Sequence, residues 1–174
     1  MKKFLFKYRK VNALNSIWWD KHITKNRKLQ IYKTVIQSIL TYGVEVWQIS
    51  VRNQNKILAT EMDVLRRSAG KSRKEKIRNR QIKEIMKEEE EPDIIDIIET
   101  KRLQWYGHVK RMTEERLPRQ IMEWTPPERR KRGRPTKTWI EGVHTAMTSR
   151  RIEPGQWRDR EQWRLVSGRQ RQQS

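Results

Sequence analysis

Apolar residues recur at intervals of three and four along residues 26–48, and this period constrains the fold more than any other feature of the sequence. Lys33, Gln37 and Thr41 take the opposite side, as in an amphipathic helix. The pattern predicts one central helix. Gly43 falls inside it, and because glycine destabilises a helix interior by about 1 kcal/mol relative to alanine, we expect another helix to pack closely there. The apolar positions are Leu29, Tyr32, Val35, Ile36, Ile39, Leu40, Val46 and Trp47.

The same helical period returns later in the chain. Residues 53–69 are predicted to form a helix that Asn53 can cap and that Gly70 can end in a left-handed turn. Residues 93–112 carry the strongest later stripe, with its apolar residues on about a third of the helical circumference. Further helices are predicted to start near Asn79, to span 116–124, and to be capped by Thr138 and by Asp159.

Arg102 and the acidic run Glu88 to Glu91 each have two interpretations. Arg102 projects into the apolar stripe, where its stem can cover the core; the less favoured interpretation stacks its guanidinium near Tyr106 to meet a phosphate or a base. The run Glu88 to Glu91 is typical of a solvated helix end. It can also neutralise a basic neighbour within the fold.

Prolines 126, 127 and 135 and Gly133 exclude a helix from residues 125–135 and favour an extended path. The predicted fold is therefore all-α, with helical regions joined by basic linkers that contain proline. The predicted divisions are a helical bundle at 1–72, a smaller helical lobe at 73–124, the linker at 125–135, a helix pair at 136–166 and a disordered tail at 167–174.

The chain has 41 lysines and arginines against 21 aspartates and glutamates, a formal net charge of +20. Such an excess makes a compact state repel itself unless a polyanion joins it. Phosphate backbones are the commonest partner, and their binding weakens steeply with salt because counterions are released. We therefore expect contact with nucleic acid. A solvated basic surface is the alternative.

The residues that carry chemistry are too scattered to form a catalytic or metal site. The chain has no cysteine, and the spacing of His22, His108 and His144 suits no zinc site. Asp93 and Asp96 stand near each other at a predicted helix start, where acids complement the dipole. We expect no enzyme activity, no metal and no cofactor. No apolar run reaches the roughly 20 residues of a membrane span, so we expect no membrane partner and an intracellular location.

The most specific binding signal is the run from Arg129 to Arg134, in which five of six residues are positive. Its Arg132-Gly133-Arg134-Pro135 core resembles the AT-hook, a peptide that lies along a narrow A·T minor groove. Glycine allows close backbone approach, and the arginines seek the strong negative potential of that groove. For so short a match we favour a generic phosphate clamp or a nuclear-import signal.

Six separated stretches form a longer pattern. They are KLQIYKTVIQSILTYGVEVW (28–47), EMDVLRRSAG (61–70), RLQWYGHVKRM (102–112), RLPRQIMEW (116–124), RRKRGRPTKTWIEGV (129–143) and WRDREQWR (157–164). In order and approximate spacing they resemble the carboxy-terminal part of non-LTR retrotransposon reverse transcriptases. The resemblance is closest to RTE- and jockey-like elements that carry an apurinic-type endonuclease.

This resemblance implies a thumb-like helical bundle and a basic tail that grip template RNA and the RNA–DNA hybrid. It also implies that the endonuclease domain and the catalytic palm lie upstream of this chain, so that no catalytic residue is carried over. Glu128 stands where the pattern more often has glycine. The residues that we expect to contact nucleic acid are Arg102, Lys110, Arg111, Arg129, Arg130, Lys131, Arg132, Arg134 and Lys137, in a basic groove to which Lys33, Arg66, Arg67 and Arg73 also belong.

Three hypotheses follow. The chain is a non-catalytic part of a retrotransposon-derived RNA-directed DNA polymerase that binds RNA or hybrid, and is nuclear. Alternatively, it is a stand-alone structural protein that binds the DNA minor groove through its AT-hook-like segment. The third hypothesis is a remnant of an element whose charge no longer serves a function.

Overall fold

The computed structural model describes residues 11–88, 90–124 and 138–170. Within these ranges the chain is helical and contains no strand. The predicted all-α fold is confirmed. Among the same residues, no helix combines the length and the apolar character needed to cross a membrane.

Nine α-helices, one π-helical turn and three 3₁₀ turns make up the described part of the chain. The α-helices are α1 (Asn15–Trp19), α2 (Lys25–Ile31), α3 (Ser38–Thr41), α4 (Val51–Ser68), α5 (Asn79–Met86), α6 (Ile94–Lys110), α7 (Leu117–Glu123), α8 (Trp139–Ser149) and α9 (Arg160–Ser167). The π-helical turn is Tyr32–Gln37, and the 3₁₀ turns are Val44–Val46, Arg73–Glu75 and Gln156–Arg158.

The described residues fall into two compact units. The first unit comprises 11–42 and 49–95, and the second comprises 43–48 and 96–170. The divisions predicted from the sequence, with a first lobe that ends at residue 72, stay predictions.

The single helix predicted over residues 26–48 is wrong. The chain there forms α2, the π-helical turn and α3, and it leaves the helical path at Gly43. Gly43 has a left-handed backbone (φ +65°), and no atom lies within 4 Å of the position that a β-carbon would take. Its role is therefore conformational freedom at a turn, not close packing of another helix. The predicted inward residues Val35 and Val46 are 41% and 61% exposed.

In the first unit, α4 packs its buried face against α2 and α5. Leu29, Met62, Leu65, Ile82 and Met86 form this core. Burial of such side chains contributes roughly 1.5–3 kcal/mol each.

Local residues set the ends of α4. Ser50 caps its start, because its side chain accepts from the backbone N–H of Asn53 at 3.4 Å, so the prediction that Asn53 is the cap was three residues late. Gly70 follows its end in the predicted left-handed conformation (φ +69°).

Glu61 lies inside the first unit and is 5% exposed. The hydroxyl of Tyr32 donates to its Oε1 atom at 2.8 Å. Burial disfavours the charged carboxylate and raises the pKa of Glu61, and burial beside that carboxylate also raises the pKa of Tyr32.

In the second unit, α6, α8 and α9 surround a core of Leu103, Tyr106, Val143, Met147 and Trp163. The indole N–H of Trp163 donates to the carbonyl oxygen of Leu103 at 3.0 Å, which satisfies the polar atom of this buried ring.

The predicted caps of α8 and α9 are confirmed. Thr138 and Glu141 form a reciprocal capping box, with distances of 3.3 and 3.2 Å between side chain and backbone. Asp159 accepts from the backbone N–H groups of Glu161 and Gln162 at 2.9 and 3.0 Å.

We predict that Gly107→Ala destabilises the second unit by about 3 kcal/mol, because the added β-carbon overlaps the buried indole of Trp163. Gly168→Ala is the matched control, since its β-carbon meets the nearest atom, the carbonyl oxygen of Arg164, at 3.5 Å. Urea denaturation followed by tryptophan fluorescence measures both variants. Equal stability of the two variants would contradict the packing of Trp163 on Gly107.

We predict that Glu61→Gln removes a pH dependence of stability. Because the pKa of Glu61 is raised in the folded state, the folded protein holds its proton more tightly than the unfolded chain does. The wild-type protein should therefore gain stability relative to the variant as the pH falls from neutral towards 4.5, the ordinary pKa of a glutamate. Denaturation at a series of pH values tests this, and parallel curves for the two proteins would exclude it.

Candidate nucleic-acid interface

The basic run from Arg129 to Lys137 lies outside the described residues, so its predicted contacts with nucleic acid stay predictions. The structure does describe the two residues that flank the segment containing this run, Trp124 and Thr138. Trp124 follows the last residue of α7, and Thr138 caps the start of α8. Both residues line one cavity of the second unit.

This cavity is an open groove of about 970 Å³ with mostly apolar and aromatic walls. α6, α7 and α8 contribute nearly all of its side chains. The lining residues are Val46, Trp105, Tyr106, Val109, Lys110, Leu117, Pro118, Ile121, Met122, Glu123, Trp124, Thr138, Trp139, Ile140, Glu141 and His144.

The apolar face of α7 gives the groove its exposed wall. A helix was predicted at 116–124, and Leu117, Ile121 and Trp124 of this segment line the groove together. They are 65%, 63% and 66% exposed. An uncovered row of large apolar side chains is typical of a binding surface.

Trp139 at the start of α8 also lines the groove, and a hydrogen bond holds it in place. Its indole N–H donates to the carbonyl oxygen of Glu45 at 2.8 Å. The groove therefore combines a fixed tryptophan with an exposed one, Trp124.

Lys110 and Arg111, two of the predicted contacts, lie close to Trp157. The ammonium of Lys110 binds Glu123 at 2.7 Å and lies 5.6 Å from the centre of the Trp157 ring. Arg111 donates to the carbonyl oxygen of Trp157 at 2.7 Å, and burial lowers its pKa. Both side chains thus have partners within the unit, and their contact with nucleic acid stays a prediction.

Arg102 is 5% exposed, and its guanidinium donates to the carbonyl oxygen of Trp47 at 3.0 Å. Desolvation lowers its pKa, with Glu99 acting in the opposite direction. This is the geometry of a structural residue that ties residues 43–48 to α6, and a role in binding stays a prediction.

The first unit holds the other cations assigned to the basic groove. Lys33 pairs with Glu88 at 2.9 Å and with Glu91 at 3.4 Å, so the acidic run does neutralise a basic neighbour. Arg67 and Arg73 both pair with Asp63.

Arg66 lines a second pocket, which lies within the first unit. Its Nη2 atom donates to the carbonyl oxygen of Ile77 and to the side-chain oxygen of Asn79, both at 2.7 Å. Lys76 lines the same pocket, although no pattern in the sequence points to it. Lys76 has a left-handed backbone, and this conformation cannot be predicted from one lysine among many in the sequence.

Carboxylates and histidines do not converge on a metal site within residues 11–88, 90–124 and 138–170: no group of three or more potential ligands is found there.

The chain is similar to an uncharacterized transposon-derived protein from Caenorhabditis elegans, with 24% identity over 135 residues. The match covers 75% of this chain and 48% of the relative, so the chain spans about half the length of that protein. No protein-family model matches the chain, and no solved structure gives a significant match. The similarity supports a transposon origin, whereas the resemblance to reverse transcriptases stays a prediction.

We predict that the two tryptophans of the groove differ in their effect on stability. Trp124→Ala should change the free energy of unfolding by less than about 0.5 kcal/mol, because the ring is largely exposed. Trp139→Phe should cost about 1 kcal/mol, because it removes the hydrogen bond to Glu45. Thermal and urea denaturation measure both values. A larger loss for Trp124→Ala would show that this ring is covered in solution.

Proposed function

We propose that this chain is a nucleic-acid-binding part of a retrotransposon-derived RNA-directed DNA polymerase, and that it grips RNA or RNA–DNA hybrid without performing the chemistry itself. The basic run from Arg129 to Lys137 binds the phosphate backbone. The adjacent groove accepts unpaired bases that leave the hybrid or the template.

The concentration of charge carries this proposal. Six of the nine residues from Arg129 to Lys137 are positive, within a chain of net charge +20. Each phosphate that such side chains neutralise releases condensed counterions, which drives binding independently of base sequence.

The exposed aromatic wall of the groove supports a role beyond charge. Trp124 lies five residues before Arg129, where the basic run begins, and is 66% exposed. Stacking of a base on an aromatic side chain contributes about 1–3 kcal/mol and tolerates any base sequence. A polymerase needs this kind of grip on its template, since it must hold every sequence that it copies.

The origin of the chain supports the same assignment. The similarity to a transposon-derived protein supports a transposon origin. The six sequence stretches resemble non-LTR reverse transcriptases in their order and approximate spacing. The activity of a whole element protein is part of the proposal only, because the chain spans about half of that relative.

One observation favours a second function. The Arg132-Gly133-Arg134-Pro135 sequence has the glycine and the flanking arginines that a narrow A·T minor groove accepts. A chain that used this segment alone would be a structural DNA-binding protein with a preference for A·T duplexes.

We predict that binding, measured by salt titration, prefers single-stranded RNA or RNA–DNA hybrid over A·T and G·C duplexes. Arg132→Ala with Arg134→Ala should lower this affinity only about tenfold, because the other four cations of the run remain. The control replaces two exposed arginines of α9, Arg160 and Arg164, by alanine, so that the same charge is lost elsewhere.

Other outcomes decide between the remaining hypotheses. An A·T preference that the Arg132/Arg134 double variant abolishes would replace the proposed function by minor-groove binding. Weak binding to all four ligands, with the same loss in both double variants, would identify the charge as a remnant without function.

A further inference from the structure

The first unit contains a second basic pocket, separate from the groove described above. It is an open cavity of about 510 Å³ between α4 and the segment that joins α4 to α5. Its polar lining comes from both elements.

The charges around this pocket do not balance. Three cations, Arg66, Arg73 and Lys76, line it together with one carboxylate, Asp63. That carboxylate already pairs with Arg73 at 3.0 Å and with Arg67 of its own helix. Within the described part of the first unit, no ion pair engages Arg66 or Lys76. The pocket therefore has an excess of positive charge.

Arg66 is fixed at the pocket by one nitrogen and has the other unused. Its Nη2 atom donates to the carbonyl oxygen of Ile77 and to the side chain of Asn79, both at 2.7 Å. Its Nη1 atom is buried and has no hydrogen-bond partner. An unsatisfied donor on a charged group is costly in a folded protein. The hydrogen bonds of Nη2 hold the Arg66 guanidinium, and with it one positive charge, at the pocket.

Lys76 reaches the pocket from a backbone position that favours glycine. It ends the 3₁₀ turn Arg73–Glu75 with φ +52° and ψ +26°, a backbone region in which a β-carbon is strained. Lys87 has the same conformation (φ +58°) at the end of α5 but does not line the pocket. The conformation alone thus indicates no ligand, and Lys87 provides a matched control.

We propose that this pocket binds a phosphate group, with Arg66, Arg73 and Lys76 as the neutralising charges. A guanidinium whose position is already fixed by hydrogen bonds loses little further conformational entropy when an oxyanion binds beside it. If the proposed function holds, the phosphate belongs to a nucleic-acid backbone. Free phosphate offers the same oxygen atoms, and the experiment below distinguishes the two sources.

The matched variants are Lys76→Gly and Lys87→Gly. Each removes one lysine and relaxes one left-handed residue, so both proteins should fold at least as well as the wild type. The first measurement is the rise in melting temperature on adding inorganic phosphate, against chloride at equal ionic strength. We expect the rise to persist in Lys87→Gly and to shrink by at least about half in Lys76→Gly. Equal rises in melting temperature in the two variants would refute the proposal that the pocket binds phosphate.

The second measurement is the affinity for single-stranded RNA. We expect Lys76→Gly to bind about five- to tenfold more weakly than Lys87→Gly at the same salt concentration, with a smaller salt slope. Arg66→Lys keeps the positive charge but removes the planar guanidinium, and it should weaken RNA binding by a similar factor. The control Arg52→Lys, on the exposed start of α4, should not weaken RNA binding. Circular dichroism melts of Arg66→Lys separate a loss of binding from a loss of folding.

The two proposals fail in different ways. Wild-type protein that gains stability from phosphate only through Lys76, yet binds no RNA, hybrid or DNA, would support the pocket and refute the proposed function. Protein that binds RNA equally well in both glycine variants, and gains the same stability from phosphate in both, would refute the pocket and leave the proposed function intact.

Discussion

Positive charge that is removed from water needs an oxygen partner beside it, and the interior of the second unit depends on one such arrangement. Arg150 is 1% exposed and donates to Glu99 at 2.8 Å and to the carbonyl oxygen of Arg169 at 2.8 Å. Asp96 lies 3.5 Å from the same guanidinium. Taking an unpaired charge out of water costs several kcal/mol. The acids of α6 therefore fix the end of α8 and the residues after α9.

The first unit uses its buried acids in the same way. Asp63 holds Arg67 of its own helix and Arg73 of the following turn, while Glu61 accepts a hydrogen bond from the hydroxyl of Tyr32. The described carboxylates of the interior are taken up by the fold, and cations without such partners remain for a polyanion.

The features that could be predicted from the sequence are those that neighbouring residues determine. The capping residues Thr138 and Asp159 were predicted correctly because a cap and its acceptors lie within three residues of each other. The course of residues 26–48 was not, because an apolar period continues across a turn that one left-handed residue, Gly43, introduces. The apolar period predicts which residues face the core, but it does not predict the residue at which the helix ends.

The candidate sites were less predictable because their partners are distant in sequence. The apolar stripe places Arg102 correctly, but its acceptor, the carbonyl oxygen of Trp47, is 55 residues away. The groove has the same origin, since Trp139 is fixed by Glu45 across 94 residues. Lys76 is harder still, because its left-handed backbone follows from the turn before it, and lysine is not a residue type that predicts such a conformation.

Net charge alone therefore overestimates the capacity of this protein for phosphate. Arginines such as Arg150, which is buried between two carboxylates, contribute to the formal charge of +20 but cannot reach a ligand. Arg73 is intermediate, because its exposed side chain pairs with Asp63 and a phosphate would have to compete with that carboxylate. Binding should thus depend on a subset of the cations, and the salt dependence of affinity counts this subset, since only cations that displace counterions from phosphate contribute to its slope.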